Sequence, residues 1–146
     1  MAMSKIENLY ALSWEHGSWL LFVRKIKNKL ADGNTVEQIK YFILDEWKNS
    51  LEHHLIVEET IFEPVMLKYV PDTPMIMRMR KDHDRIRSII WLLKNDKAKI
   101  ANITEFAELL LSHINFENNE LFPDAEKHIP AEELNKLRHS LKEEIM

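Results

Sequence analysis

Apolar residues recur along this chain at spacings of three and four, in runs long enough for several-turn helices. Ile6, Leu9, Leu12, Trp19, Val23, Ile26 and Leu30 share one face of a first helix. "ADGN" stops it, with Gly33 placed for a left-handed cap. Thr35, with Gln38 three residues on, forms a capping box that opens a second helix. Its core face is Ile39, Ile43, Trp47, Leu51, Leu55 and Phe62, and it is expected to weaken around Pro64 or end near "YVPDTP". Thr73-Pro74 starts a third helix, because proline's missing N–H costs nothing at the first helical position. Ile76, Met79, Ile86, Ile90 and Leu93 mark its buried side. Asn102 with Glu105 is expected to cap a fourth helix carrying Phe106, Leu110, Ile114 and Leu121, which Pro123 should break. A fifth helix follows Pro130, with Leu134, Leu137, Leu141 and Ile145 on one side.

Four long helices joined by short loops predict an all-α fold. The expected architecture is an up-down-up-down four-helix bundle with a short C-terminal helix, one domain over residues 1–146. The chain has only two Gly and is rich in good helix formers, which supports the same class. Its net charge of −4 is spread without a basic block, so no nucleic-acid partner is expected. With no cysteine it can make no disulfide, thiolate metal site or Cys nucleophile. "MAMSKIENLYALSWEHG" lacks the charged-then-apolar pattern of a secretory leader. The longest apolar runs, "WLLFV" and "IIWLL", are too short for a bilayer. A cytoplasmic protein with no membrane partner is the expectation.

The stripes are interrupted by polar residues in a regular way. The first helix reads Leu9, Leu12, His16, Trp19, Val23, and the third reads Ile76, Met79, His83, Ile86, Ile90. Each has one histidine where packing calls for an apolar side chain. The second helix reads Trp47, Leu51, His54, Glu58, Phe62, and the fourth reads Phe106, Leu110, His113, Glu117, Leu121. Each of those carries an inward His and Glu one turn apart. Around them the chain repeats itself, as "HLIVEETIFEP" and then "HINFENNELFP". His-xxx-Glu also occurs at 128/132 and 139/143, but outside any apolar stripe. His139 falls on an exposed face, His128 in the break before Pro130, and His53 beside the stripe.

Depth supports convergence. At about 1.5 Å per residue, His83 and the His113/Glu117 pair lie at nearly equal distances from the loop between their helices. The first hairpin agrees less well, with His54/Glu58 about 8 Å deeper than His16 by the same rise. Buried imidazoles and carboxylates need partners, and six of them converging from four helices point to metal. Four His and two Glu exceed one tetrahedral zinc and suit two metals, each with two His, bridged by both Glu. Nitrogen and oxygen donors with vacant positions favour iron, with zinc and manganese as competitors. No His has Glu three residues before it, unlike ferritin-type bundles, and there is no His-Glu-x-x-His of a zinc protease.

Between about residues 10 and 125 the chain resembles the hemerythrin-like (HHE cation-binding) family of four-helix-bundle di-iron proteins. The likeness rests on His16 in "WEHGSWL", His54 and Glu58 in "EHHLIVEETIFEP", His83 in "KDHDRIR", and His113 and Glu117 in "SHINFENNELFP". It implies that His16, His54, His83 and His113 are terminal ligands of two iron ions. Glu58 and Glu117 would bridge them, together with an oxo or hydroxo group. Oxygen-carrying members have a second His one turn further along the third helix, where this chain has Arg87. The four-His, two-Glu set is more similar to bacterial iron-sulfur-cluster repair and nitric-oxide-response proteins, without their Cys-containing N-terminal segment.

The expected function is a non-haem di-iron protein whose open positions bind O2, peroxide or nitric oxide, for sensing, scavenging or iron-centre repair. The alternative is a metal store or metal-responsive module without redox chemistry. Arg87 has two readings, a rim charge paired with a neighbouring acid or a cation that favours anionic ligands. Glu15 and Asp82, each just before a ligand His, have two readings, solvated surface acids first and supports behind the ligands second. Spacing assigns no role to His53, Glu59 or Asn118.

Overall fold

A computed structural model describes residues 9–146, so Ile6 lies outside the described residues. Helix α1 is Tyr10–Ala31, α2 covers residues 36–69, α3 is Pro74–Lys94, α4 covers residues 100–128 and α5 is Ala131–Ile145. There is no strand among the described residues. The first four helices form the predicted up-down-up-down bundle, with α1 against α4, α4 against α3 and α3 against α2. The 15-residue α5 returns across α1 and α2.

The ends of the helices follow from their capping residues. Thr35 Oγ1 accepts from Gln38 N–H and Gln38 Oε1 accepts from Thr35 N–H at 2.8 Å, closing the expected box. Thr73 Oγ1 accepts from Met75 N–H ahead of Pro74. At the end of α1, Asn34 N–H reaches Lys29 O and Gly33 N–H reaches Leu30 O, with Gly33 at φ 79°. Helix α3 ends the same way with a non-glycine: Lys97 N–H reaches Leu92 O and Asp96 N–H reaches Leu93 O. Asp96 sits at φ 56° there, and Lys40 of α2 binds its carboxylate at 2.5 Å. Helix α4 starts earlier than its sequence suggests. Asn102 accepts from Lys99 N–H from inside the first turn, while Glu105 pairs with Arg85 of α3 at 2.6 Å.

Neither internal proline ends its helix. Helix α2 contains two π turns, Trp47–Leu51 and Glu58–Phe62, and α4 contains one, Glu117–Leu121. In these turns Glu63 N–H reaches back to Glu58 O, and Phe122 N–H reaches back to Glu117 O. Pro64 and Pro123 come one residue after those bonds. In a regular α-helix each ring would press on the carbonyl four residues earlier and leave it unpaired. The extra residue of the π turn opens the spiral there, so α2 runs on to Tyr69 and α4 to His128. The turn at Trp47–Leu51 also draws His54 back toward the first loop by about 1.5 Å, one residue's rise. That takes up part of the depth difference in the first hairpin.

The core is in two parts. Trp19, Ile43, Leu51, Ile86, Phe106 and Leu110 belong to a cluster at the end closed by the α1–α2 and α3–α4 loops. Leu12, Phe62, Met79, Phe122, Leu137 and Leu141 belong to a second, which α5 covers. A belt of buried polar side chains lies between them. One test of the capping account is Gly33→Ala. An added Cβ at Gly33 meets nothing within 4 Å, so the cost is backbone strain alone. Urea unfolding should show a loss of about 1 kcal/mol, and less for Gly33→Asn, which tolerates the left-handed region better.

Candidate metal centre

All six sequence-predicted residues meet in that belt, and each is at most 2% exposed. His16 comes from α1, His54 and Glu58 from α2, His83 from α3, and His113 and Glu117 from α4. They fall into two overlapping groups, His16/His54/Glu58/Glu117 and Glu58/His83/His113/Glu117, with candidate ligand atoms within 4.8 Å of one another in each. The carboxylates divide their oxygens between the groups. Glu117 Oε1 lies 3.0 Å from His16 Nε2, and its Oε2 lies 3.3 Å from His113 Nε2. Glu58 Oε2 lies 3.5 Å from His54 Nε2, and its Oε1 lies 3.1 Å from His83 Nε2. Both glutamates also start a π turn, which re-aims the helix at the point where each must reach two histidine pairs.

The outer faces of the imidazoles are all engaged. His54 Nδ1 donates to Glu15 Oε1 at 2.9 Å and His113 Nδ1 to Asp82 Oδ2 at 2.9 Å. His83 Nδ1 donates to Glu59 Oε2 at 2.7 Å and His16 Nδ1 to Asn118 Oδ1 at 2.8 Å. An ionised carboxylate or an amide oxygen can only accept, so these bonds place a proton on Nδ1 and direct Nε2 inward. Glu15 and Asp82 are therefore not solvated acids but take the second of their two readings, as supports behind buried histidines. Each reaches across to the neighbouring helix, and only 15% and 14% of their side chains are exposed. Glu59 and Asn118, to which spacing gave no role, complete the set. Arg87 takes the first of its two readings, gripping both oxygens of Glu59 at 2.6 and 2.9 Å. His53 stays outside the site and donates from Nε2 to the Glu144 carbonyl at the end of α5. His128 and His139 are exposed.

Of the inward atoms, only His83 Nε2 and Glu58 Oε1 pair with one another, at 3.1 Å. His16 Nε2, His54 Nε2, His113 Nε2, Glu58 Oε2 and both Glu117 oxygens are buried without a hydrogen bond. His16 Nε2 and Glu117 Oε1 are at hydrogen-bonding distance but misaligned, as when two donors aim at a common point. A buried polar atom left unpaired costs about 1–3 kcal/mol, so this belt is expensive unless a cation shares it. Nitrogen and carboxylate oxygen are donors that a divalent cation accepts. The residues fit a pair of metal ions, and this fit is the observation on which a metal centre rests.

Charge in the metal-free belt tells the same story. Burial opposes the positive charge on His54, yet Glu58 and the bond from Glu15 hold its pKa up to about 9. His113 is held well above its usual value against burial by Glu117 and Asp82, and His83 is raised by Glu58 and Glu59. Burial alone would raise Glu58, but the His54 charge keeps it well below the usual carboxylate value. Protons thus stand in where a cation would be.

The fold and this belt define a helical-bundle protein with a buried His/Glu centre able to hold metal cations. Residues 15–125 match the hemerythrin HHE cation binding domain, and the chain belongs to that family. Comparisons with curated proteins and with solved structures gave no match.

The charges carry a testable sign. A raised histidine pKa stabilises the metal-free fold fully below the unfolded value of 6.5, and that contribution is lost as pH rises through about 9 for His54. At most about 3 kcal/mol comes from His54. The Glu58 contribution runs the other way, present above 4.5 and lost as pH falls. Metal binding must displace the Nε2 protons, so its affinity rises with pH. The melting temperature of chelator-treated protein should therefore fall between pH 6.5 and 9, while that of metal-loaded protein should not. Parallel pH profiles for the two forms would contradict this account.

Proposed function

We propose that the belt holds two iron ions, His16 and His54 on one, His83 and His113 on the other, with Glu58 and Glu117 bridging them. The observation that carries this is the division of each carboxylate's two oxygens between the two histidine pairs. Each ion would receive two imidazole nitrogens and two carboxylate oxygens from the protein. A six-coordinate metal then keeps two positions open, and a centre of this kind takes up a small ligand. With no thiolate available and imidazole and carboxylate as donors, iron is the ion that combines this set with redox chemistry. The apolar clusters on either side limit water.

O2, peroxide and nitric oxide are the ligands this reading assigns, in a sensing, scavenging or iron-centre-repair role. The absence of a second histidine on α3 favours those roles over reversible oxygen carriage. Arg87 occupies that place and is committed to Glu59.

Elemental mass spectrometry of protein purified without added metal tests the centre. Close to two irons per chain is expected, and the reduced protein should change its visible absorption on exposure to O2 or nitric oxide. Metal uptake that raises the melting temperature without any such change would favour a store or metal-responsive module instead. Stoichiometric zinc would keep the centre and remove the redox role. Iron-free protein whose stability ignores both chelator and added metal would overturn the whole reading.

A further inference from the structure

The supports of the four histidines follow one rule, and they break it at one place. The residue before the histidine of α1 or α3 reaches the histidine of the next helix: Glu15 to His54, and Asp82 to His113. The residue after each bridging glutamate reaches the remaining histidine: Glu59 to His83, and Asn118 to His16. Three supports are carboxylates, and Asn118 is a neutral amide. We infer that the two sites are inequivalent toward divalent cations, and that the His83/His113 site fills before the His16/His54 site. This rests on the metal-centre reading above and goes one step further.

Two observations carry it. A carboxylate accepting from Nδ1 makes the imidazole a stronger donor at Nε2 than an amide carbonyl does, and places a negative charge near the ion. Both histidines of the second site have that support, but only one of the first. The surroundings differ in the same direction. His16 stacks on Phe122 at 5.7 Å and His54 meets the edge of Trp19 at 4.4 Å, so the first site is walled by apolar rings. The two imidazoles of each pair also meet, at 5.2 Å for His16 and His54 and at 5.0 Å for His83 and His113, so the Phe122 and Trp19 walls are what set the first site apart.

Arg87 and Arg78 act against this and do not cancel it. Arg87 lies beyond Glu59, further from the metal position, with 35% of its side chain exposed. Arg78 stands 3.9 Å from Asp82 with 43% exposed. Charge effects weaken with distance and with solvent screening, so the nearer carboxylates dominate.

Zinc, diamagnetic and redox-inert, is the probe, added to metal-free full-length protein labelled with 15N at the histidine rings. At one equivalent the His83 and His113 ring signals should have moved, with His16 and His54 completing their change only during the second. Glu59→Gln should weaken the first step by about ten- to a hundredfold and erase the order. Asn118→Asp should tighten the second step by about tenfold. Simultaneous movement of all four rings, or His16 and His54 moving first, overturns this inference and leaves the metal centre standing. No uptake of metal overturns both. The wild-type order needs no substitution, so a variant that fails to fold does not remove the test.

Discussion

Six ionisable side chains buried midway along an apolar bundle set the terms for the rest of this structure. Apart from the His83–Glu58 bond, their inward atoms have no partners among themselves, so the geometry must be held from outside. Four hydrogen bonds to the Nδ1 atoms do that work, each linking one helix to another. The same contacts that aim the imidazoles therefore also fix how the four helices sit around the belt. Glu59 extends this into the longest chain of supports, from Arg87 through Glu59 to His83 and Glu58. With its own carboxyl lowered to about 2, against burial, by His83 and Arg87, Glu59 stays charged throughout the physiological range.

The apolar clusters explain how a bundle tolerates such a belt. Each is continuous over several helices, and each closes one end of the site. The π turns belong to the same solution. An α-helix presents residues on one face every three or four positions, which is enough to bring His54 and Glu58, or His113 and Glu117, to the interior. A wider turn starting at each glutamate ends on Phe62 or Leu121, both fully buried, and lets the helix carry on past the proline that follows two residues later. The repeated His-xxx-Glu, with proline six residues after the glutamate, encodes a buried His/Glu pair and a helix distortion together.

Much of this was legible from the stripes. His16, His54, Glu58, His83, His113 and Glu117 occupy positions where periodicity demands an apolar side chain, and periodicity is a property of one helix that sequence displays directly. For Glu15 and Asp82 the sequence ranks a solvated acid above a support, for the complementary reason. Each sits about 100° around its helix from a ligand, where a carboxylate on an isolated helix would face water. Only the approach of the next helix makes it a partner for a histidine 39 or 31 residues away. Pro123 was read as a break because its clash is local and certain in an α-helix, while the π turn that relieves it is not visible in periodicity. A cap at Asn102 would start α4 about one turn too late, for the same kind of reason. Its cap bond is made from within the helix, and Glu105 is claimed by Arg85.

Arg87 brings these strands together. Viewed along α3 alone, it replaces a nitrogen donor one turn after His83 with a cation that cannot bind a metal. Across the α2–α3 interface it does something else, since its two bonds fix the orientation of the carboxylate that supports His83. The exchange removes one ligand and stabilises the anion behind another. If the belt holds the proposed ions, a centre built this way would have fewer protein donors at one of them, and the donors it keeps would be held more firmly. Fewer donors leave more positions for an incoming small molecule, and firm donors keep the metal while such a molecule comes and goes. On the proposed reading, a site with that combination would suit transient reaction with a ligand better than tight enclosure of an ion, and Arg87 would weigh toward reactivity over storage.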